Sequence, residues 1–507
     1  VATTANATAQ MTDLTATYFD EPFQHRENNY DDYRDQILLP HKLSQTGPCL
    51  AVGDVNQDGL EDFFVGGASG QSGQLYLQSE QRKFIQRDVS ALQQDAVQED
   101  VGAVFFDADG DEDLDLYVVS GGNESRRLST FYQDRLYLND EGTFVRSNRL
   151  PSISSSGSCV RPYDFDGDGD KDLFVGGRVR PGKYPHPPQS YLLRNDDGHF
   201  KNVTEQLAPE LSQVGMVTDG HWQDIDGDGQ VELVLVGEWM PISVFQMKQG
   251  QFQNTTKEWG LAHTNGWWNS LEASDVDQDG DIDFIAGNLG LNYKFKASEE
   301  KPFTVFAKDF DRNGTNDVFL AKYHGEALVP VRGKECSSQQ IPALEKKITS
   351  YKQYENSDIH DIQEGQTDQA LRCEAKTFES CWFENVDGRL QLRSLPTTAQ
   401  FSTVNGILSQ DVNGDQRPDL ILVGNRYESE IETTRADASC GLVLLQEVTG
   451  AWRSTTVEES GLFAAKNVKS IQQIHLGKNR EKAFLIGTNN NKIQLWKIQQ
   501  PANSDIQ

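Results

Sequence analysis

"DFDGDGDKD" occupies residues 164–172, and every second residue in it is aspartate. Carboxylates this close repel one another, and the stretch buries almost nothing. It is followed at once by "LFVGG", a short apolar and β-branched run of strand character. A folded chain keeps such a stretch only if something offsets the charge.

The pattern returns six more times. It reads "DVNQDGLED" from Asp54, "DADGDEDLD" from Asp107, "DIDGDGQVE" from Asp224, "DVDQDGDID" from Asp275, "DFDRNGTND" from Asp309 and "DVNGDQRPD" from Asp411. Successive copies start 53, 57, 60, 51, 34 and 102 residues apart. Each is followed by an apolar run, such as "FFVGG", "LYVVSGG" or "LILVGN", and preceded by another short strand, such as "CLAVGD" or "GAVFFD". The acidic segment therefore reads as a loop joining two antiparallel strands. A second hairpin follows in most units, as in "LYLNDEGTFVRS" and "YLLRNDDGHFKNVT". Four strands per unit of this length predict an all-β fold, a β-propeller with one unit per blade.

Seven blades are expected, with eight as the alternative. The copies at Asp275 and Asp309 are too close for a full blade between them and are read as sharing the hairpin at 381–393. The tail offers three strands, "KSIQQIHLG", "KAFLIGT" and "KIQLWKI", without an acidic loop. Its fourth strand is expected from residues 18–23, which would close the ring. The propeller then spans 18–500, with flexible ends at 1–17 and 501–507. An insertion at 324–379 interrupts the repeat, and Ile341, Leu344, Ile348 and Tyr351 lie at helical spacing within it.

Oxygen ligands at alternate positions of a tight loop suit calcium, which takes six to eight oxygens in irregular geometry. Positions one, three, five and nine supply side chains, and position seven supplies its backbone carbonyl. In the opening stretch these are Asp164, Asp166, Asp168 and Asp172, with Asp170. The first loop offers Asp54, Asn56, Asp58 and Asp62, with Leu60; the second offers Asp107, Asp109, Asp111 and Asp115, with Asp113. Next come Asp224, Asp226, Asp228 and Glu232 with Gln230, and Asp275, Asp277, Asp279 and Asp283 with Asp281. The last two sets are Asp309, Asp311, Asn313 and Asp317 with Thr315, and Asp411, Asn413, Asp415 and Asp419 with Arg417. Up to seven calcium ions are expected. The loops at Asp107 and Asp411 carry Glu112 and Gln416 where glycine would ease the turn, so weaker binding is expected there. Zinc would want His or Cys, and magnesium would keep more of its water.

These residues resemble the FG-GAP/VCBS repeats of integrin α-subunit propellers and of the cartilage acidic protein family with its bacterial relatives. The segment "LLPHKLSQTGPCLAVGDVNQDGLEDFFVGGASGQSGQLYLQ" is especially similar to the bacterial members. The resemblance covers about residues 20–500. It implies that the acidic loops join the first two strands of each blade and hold calcium. It also implies export, an extracellular or cell-surface location, and a role in adhesion or surface binding.

In a propeller the loops after the second strands open on the face opposite the acidic loops. Here those loops bring Arg178, Arg180, Tyr184, Trp239, Asn288, Tyr293, Arg426 and Tyr427 toward one surface, and the blade-joining "GLAHTNGWWNS" adds Trp267 and Trp268. Aromatic rings with Arg and Asn suit a sugar or a peptide, because rings stack and polar groups fix orientation. The competing expectation is that these rings pack between blades.

The formal net charge of -31 leaves no basic face for nucleic acid. No apolar run is long enough to span a membrane. The six cysteines form no CxxC pair, which argues against zinc or thioredoxin-type chemistry, while Cys336, Cys373 and Cys381 share an irregular region where a disulfide is conceivable. The "VATTANATAQ" start is small and polar, and reads as a processed end, a linker or a cloning boundary.

Three functional readings follow. The chain is a non-enzymatic, calcium-stabilised binding module for glycan or protein at the cell surface. Alternatively it is a polysaccharide lyase or hydrolase on a propeller scaffold, for which His221, His263, His324 and Asp219 are scattered candidates without a recognisable motif. The third reading is a structural subunit of a larger surface assembly.

Overall fold

The structure, a computed structural model, describes residues 10–125, 129–363, 365–386 and 388–499. Residues 1–9 and 500–507, within or beside the expected flexible ends, lie outside the described residues. Strands dominate, and those described all belong to eight antiparallel sheets, seven of four strands and one whose short fifth strand pairs with the far end of its second strand. Among the described residues no helix is long and apolar enough to cross a membrane.

The sequence pattern explains the layering within each unit. The run after each acidic loop is apolar because it is covered on both sides: Asp172–Val179 is buried at all eight positions. The fourth strands are outermost, and His199–Asn202 exposes all but Phe200. The first strands are innermost. Leu50–Gly53 lies beside Glu99–Phe106, then come Ser156–Tyr163, Met216–Gln223, Ser270–Ser274, Val404–Gln410 and Val468–Leu476, which returns to Leu50–Gly53. This closed cycle of seven inner strands surrounds a channel with a cavity of about 500 Å³. We number the seven sheets in the order of these strands. Every inner strand runs in the same sense, so six of its acidic loops, those of the first six sheets, gather at one end of the channel.

Several expectations about the periphery need correction. Met11–Asp13, not residues 18–23, completes the seventh sheet, pairing Met11 with Ile498 and Asp13 with Trp496. Thr15–Tyr18 is a helical turn instead, and Tyr18 and Phe19 pack on Phe84 between the first and last sheets. Residues 10–17 are therefore ordered parts of the fold.

Only the Asp275 copy shares the hairpin at 381–393. Asp283–Gly287 pairs with Cys381–Val386 in the fifth sheet, whereas the Asp309 loop joins two strands of a separate sheet in the order Ala327–Pro330, Asp317–His324, Phe303–Lys308, Leu371–Ala375. That sheet is threaded between the second and third strands of the fifth and stands outside the ring. The insertion thus spans 288–380 and is wider than 324–379.

Its expected helix is broken into Lys334–Gln340, Ala343–Lys347 and Tyr351–Glu355. Pro342 interrupts the first junction, and Ser350 caps a new start by accepting from Gln353 N–H. Ile341, Leu344 and Ile348 still pack together on Phe306, Phe310 and Phe319, while Tyr351 is exposed. All six cysteines are free thiols.

Candidate functional site: the acidic loops and the opposite face

Each acidic loop is built by the same hydrogen bonds. The position-one carboxylate accepts from the backbone N–H of position six in all seven copies, for example Gly169 N to Asp164 at 3.1 Å and Gln416 N to Asp411 at 3.0 Å. The position-five side chain accepts from the N–H of position seven, as Asp168 does from Asp170 and Asn313 from Thr315. The chain turns by adopting left-handed backbone at position six. Gly169 does so freely at φ 105°, whereas Glu112 at 71° and Gln416 at 67° carry a Cβ into that region.

Position nine lies at the start of the buried second strand. Its carboxylate accepts from the N–H of position two in all seven loops, as Asp172 does from Phe165 at 2.9 Å. Burial, with the neighbouring loop carboxylates, pushes Asp62, Asp115, Asp172, Glu232, Asp283 and Asp317 up to about 7 and Asp419 to about 6. A divalent cation would favour the ionised form that burial opposes.

The loops differ in how well they converge. One oxygen from each of Asp107, Asp109 and Asp115 lies within 4.8 Å of the others, and the same holds for Asp164/Asp166/Asp172, Asp224/Asp226/Glu232, Asp275/Asp277/Asp279 and Asp309/Asp311/Asp317. Oδ1 of Asp109 and of Asp275 is buried without a hydrogen-bond partner. These donor sets are all oxygen, as calcium prefers. At Asp411 the Asp415 carboxylate is instead paired with the Arg417 guanidinium, which also donates to Gln446 O. The Asp107 set converges despite Glu112, so its shortcoming is confined to backbone strain.

The Asp309 loop faces the other way. Asn316, at its eighth position, donates to Tyr184 O at 2.9 Å, and Tyr184 lies beyond the far end of the second strand of the third sheet. Six loops therefore share one face, and the seventh lies on the opposite one.

Sequence reading missed a further set of residues. The third strands carry a buried amide: Gln78, Asn139, Asn195, Asn385 and Gln446. Each donates its backbone N–H to the position-nine carboxylate of its own sheet at 2.7–2.9 Å. In four of them the side chain also reaches the carbonyl of position two in the preceding sheet's loop: Asn139 to Val55, Asn195 to Ala108, Asn385 to Ile225 and Gln446 to Val276. The signal was an Asn or Gln recurring within an otherwise apolar strand.

On the opposite face the expected ligand surface is corrected. Tyr184, Trp239, Trp267 and Tyr293 are buried in one aromatic core with Phe295, Phe303 and Phe378, under the inserted sheet and beside Leu39 and Leu43. Trp267 meets Trp239, Phe303 and Phe378 edge-on at 5.0–6.0 Å. Trp268 is fully buried in a separate core between the fourth and fifth sheets, with its indole N–H on Thr264 O. Asn288 is buried too, accepting from Trp267 N–H. These rings are packing residues because the insertion covers the face that the ring alone would expose. Tyr427 stays half-buried, stacked under Arg435.

Arg178 and Arg426 reach the channel mouth beside this core. Arg178 Nη2 donates to Glu238 Oε2 at 2.5 Å, and Glu238 also accepts from Tyr184 Oη. Of the scattered catalytic candidates, Asp219 and His221 both line the channel wall. Asp219 is paired with Arg161, and His221 Nε2 bonds Leu271 O at 3.0 Å.

A family model described as FG-GAP-like repeat matches residues 54–118, 107–175 and 224–286. No curated protein matches the sequence at a significant level. Solved structures align over most of the chain at low similarity. The BBS1N structure in complex with ARL6DN is 9% identical with a TM-score of 0.44, covering 91% of this chain and 96% of that one. An Agrocybe aegerita lectin recognising non-reducing terminal N-acetylglucosamine is 13% identical with a TM-score of 0.42, covering 89% and 87%. The V. cholerae biofilm matrix protein Bap1 is 10% identical with a TM-score of 0.40, covering 97% and 92%.

Proposed function

We propose that this FG-GAP-repeat β-propeller has seven blades, is stabilised by calcium, and acts as a non-enzymatic binding module for a glycan or protein at the cell surface. The observation that carries the calcium reading is the sevenfold recurrence of one hydrogen-bonded loop, five copies of which bring three carboxylates together. Without a cation those carboxylates repel at short range and their buried members resist ionisation. The blade count rests on the closed cycle of seven inner strands.

The non-enzymatic reading is favoured because Asp219 and His221 are each committed to a bond within the channel wall. The test strips the protein with EGTA, restores calcium in a calorimeter, and screens the loaded protein on a glycan array and against polysaccharides for turnover. Saturable calcium uptake with a raised melting temperature, glycan or protein binding and no turnover are expected. A melt indifferent to chelation would overturn the calcium reading. Turnover of a polysaccharide would replace the binding module with the enzyme.

A further inference from the structure

The mouth of the channel, at the end away from the six acidic loops, narrows to a cavity of about 140 Å³. Its wall combines Lys42, Arg178, Arg426 and Lys469 with one carboxylate, Glu428, and the polar side chains of Thr218 and Asn269. Four cations at one mouth stand out in a chain of net charge -31.

The two arginines are built in. Arg178 is 9% exposed and Arg426 5%. Arg178 holds Glu238 through Nη2, and Arg426 holds Asn269 Oδ1 through Nη2 at 2.8 Å while its guanidinium lies 5.7 Å from the Trp267 ring centre. Those contacts fix both planes. In each guanidinium Nη1 is buried without a hydrogen-bond partner. A buried cationic donor left unpaired is costly, and Glu428, in the same wall, is already engaged by Lys469 and Asn467. Guanidinium donors match the spacing of oxyanion lone pairs, and focused positive potential in a cleft attracts anions.

We propose that this channel mouth binds an oxyanion, the carboxylate or sulfate group of a small acidic ligand such as an acidic sugar unit, between Arg178 Nη1 and Arg426 Nη1. The inference deepens the binding-module reading by naming the charge of the ligand, and it rests on that reading for its biological setting.

The experiment uses the calcium-loaded chain at constant ionic strength in chloride. Galacturonate, sulfate and inorganic phosphate are titrated by calorimetry and by thermal melt, with glucose as the uncharged control. Saturable binding of at least one oxyanion and none of glucose are expected. Galacturonate alone would assign a carboxylate, and sulfate or phosphate alone a tetrahedral anion. Arg426→Gln should weaken binding by about tenfold or more. Lys42→Glu removes none of the hydrogen bonds described above and places a negative charge at the rim, so it should weaken binding with an unchanged melt. The proposal is overturned if no oxyanion binds at millimolar concentration, if glucose binds as well, or if both variants bind like the parent. Binding of neutral glycans on the array together with failure here would sink this inference and leave the binding-module reading standing.

Discussion

The side-chain amide of Asn385 donates to the backbone carbonyl of Ile225 at 2.7 Å, across 160 residues of sequence. Its own backbone N–H holds Asp283 Oδ1 at 2.8 Å. One residue thus fixes the ninth position of its own acidic loop and the second position of the neighbouring one. The acidic loops and the packing of neighbouring sheets are therefore one structure, joined through the third strand.

Asn385→Leu should leave the Ile225 carbonyl buried and unpaired. A cost of about 1–3 kcal/mol is expected. Calcium binding should weaken at the Asp224 loop, which loses its support, while the backbone N–H that holds Asp283 survives the change. Denaturant unfolding with and without calcium checks this; a loss no larger in calcium than in EGTA would break the link between staple and site.

Calcium titration should resolve five stronger sites and weaker uptake at the loops of Asp54 and Asp411, where no triad of carboxylates converges. Asp168→Ala should lower both stoichiometry and melting temperature. Asp415→Ala should do less, because Arg417 already neutralises that carboxylate. A site held at one hundred times its Kd contributes about 2.7 kcal/mol, which sets the scale for one lost ion.

Trp267→Ala should cost about 3–5 kcal/mol, the range for deleting a large buried ring. Trp267 is 1% exposed and joins the inserted sheet to the ring. Oxyanion binding should fall along with stability, since the same ring supports Arg426. Loss of binding with an unchanged melt would mean that the ring faces ligand after all.

Stability of the calcium-loaded protein should fall as pH rises from about 4 to about 7. Burial raises Asp134 from its ordinary 3.8 to about 7, against the lowering effect of Ser120 N–H, Tyr117 Oη–H and Arg135. The folded state therefore keeps a proton that the unfolded chain has lost. That contribution is complete below the unfolded value and disappears as pH rises through the folded one. Asp134→Asn cannot titrate and should flatten the dependence in a series of melts. An equally steep profile in the variant would assign the effect to other groups.

The repeat made most of the fold legible, because a loop of alternating aspartates before an apolar run has one structural meaning wherever it recurs. Met11–Asp13 escaped notice because three residues carry no periodicity, and only their pairing with 496–498 makes them a strand. The Asp309 motif looked like the others locally, yet the chain around it departs from the ring; a loop sequence records its own turn and not the sheet it belongs to. Trp239, Trp267 and Tyr293 fall where a bare propeller would expose them. Their burial depends on a sheet contributed from 303–375, which no local pattern announces. The amides of Asn139, Asn195 and Asn385 were visible as letters, but their reach into the next blade is a property of the assembled ring.

The short strand that completes the seventh sheet also sets how the molecule bears load. Met11 pairs antiparallel with Ile498, so the chain leaves the sheet at both ends from the same edge. Tension applied between those ends would part the rungs one after another, as a zipper opens, in place of loading them together in shear. A tether on one end and an anchor on the other would then yield at low force and free the last blade first. Attachment through a single end leaves this seam unloaded.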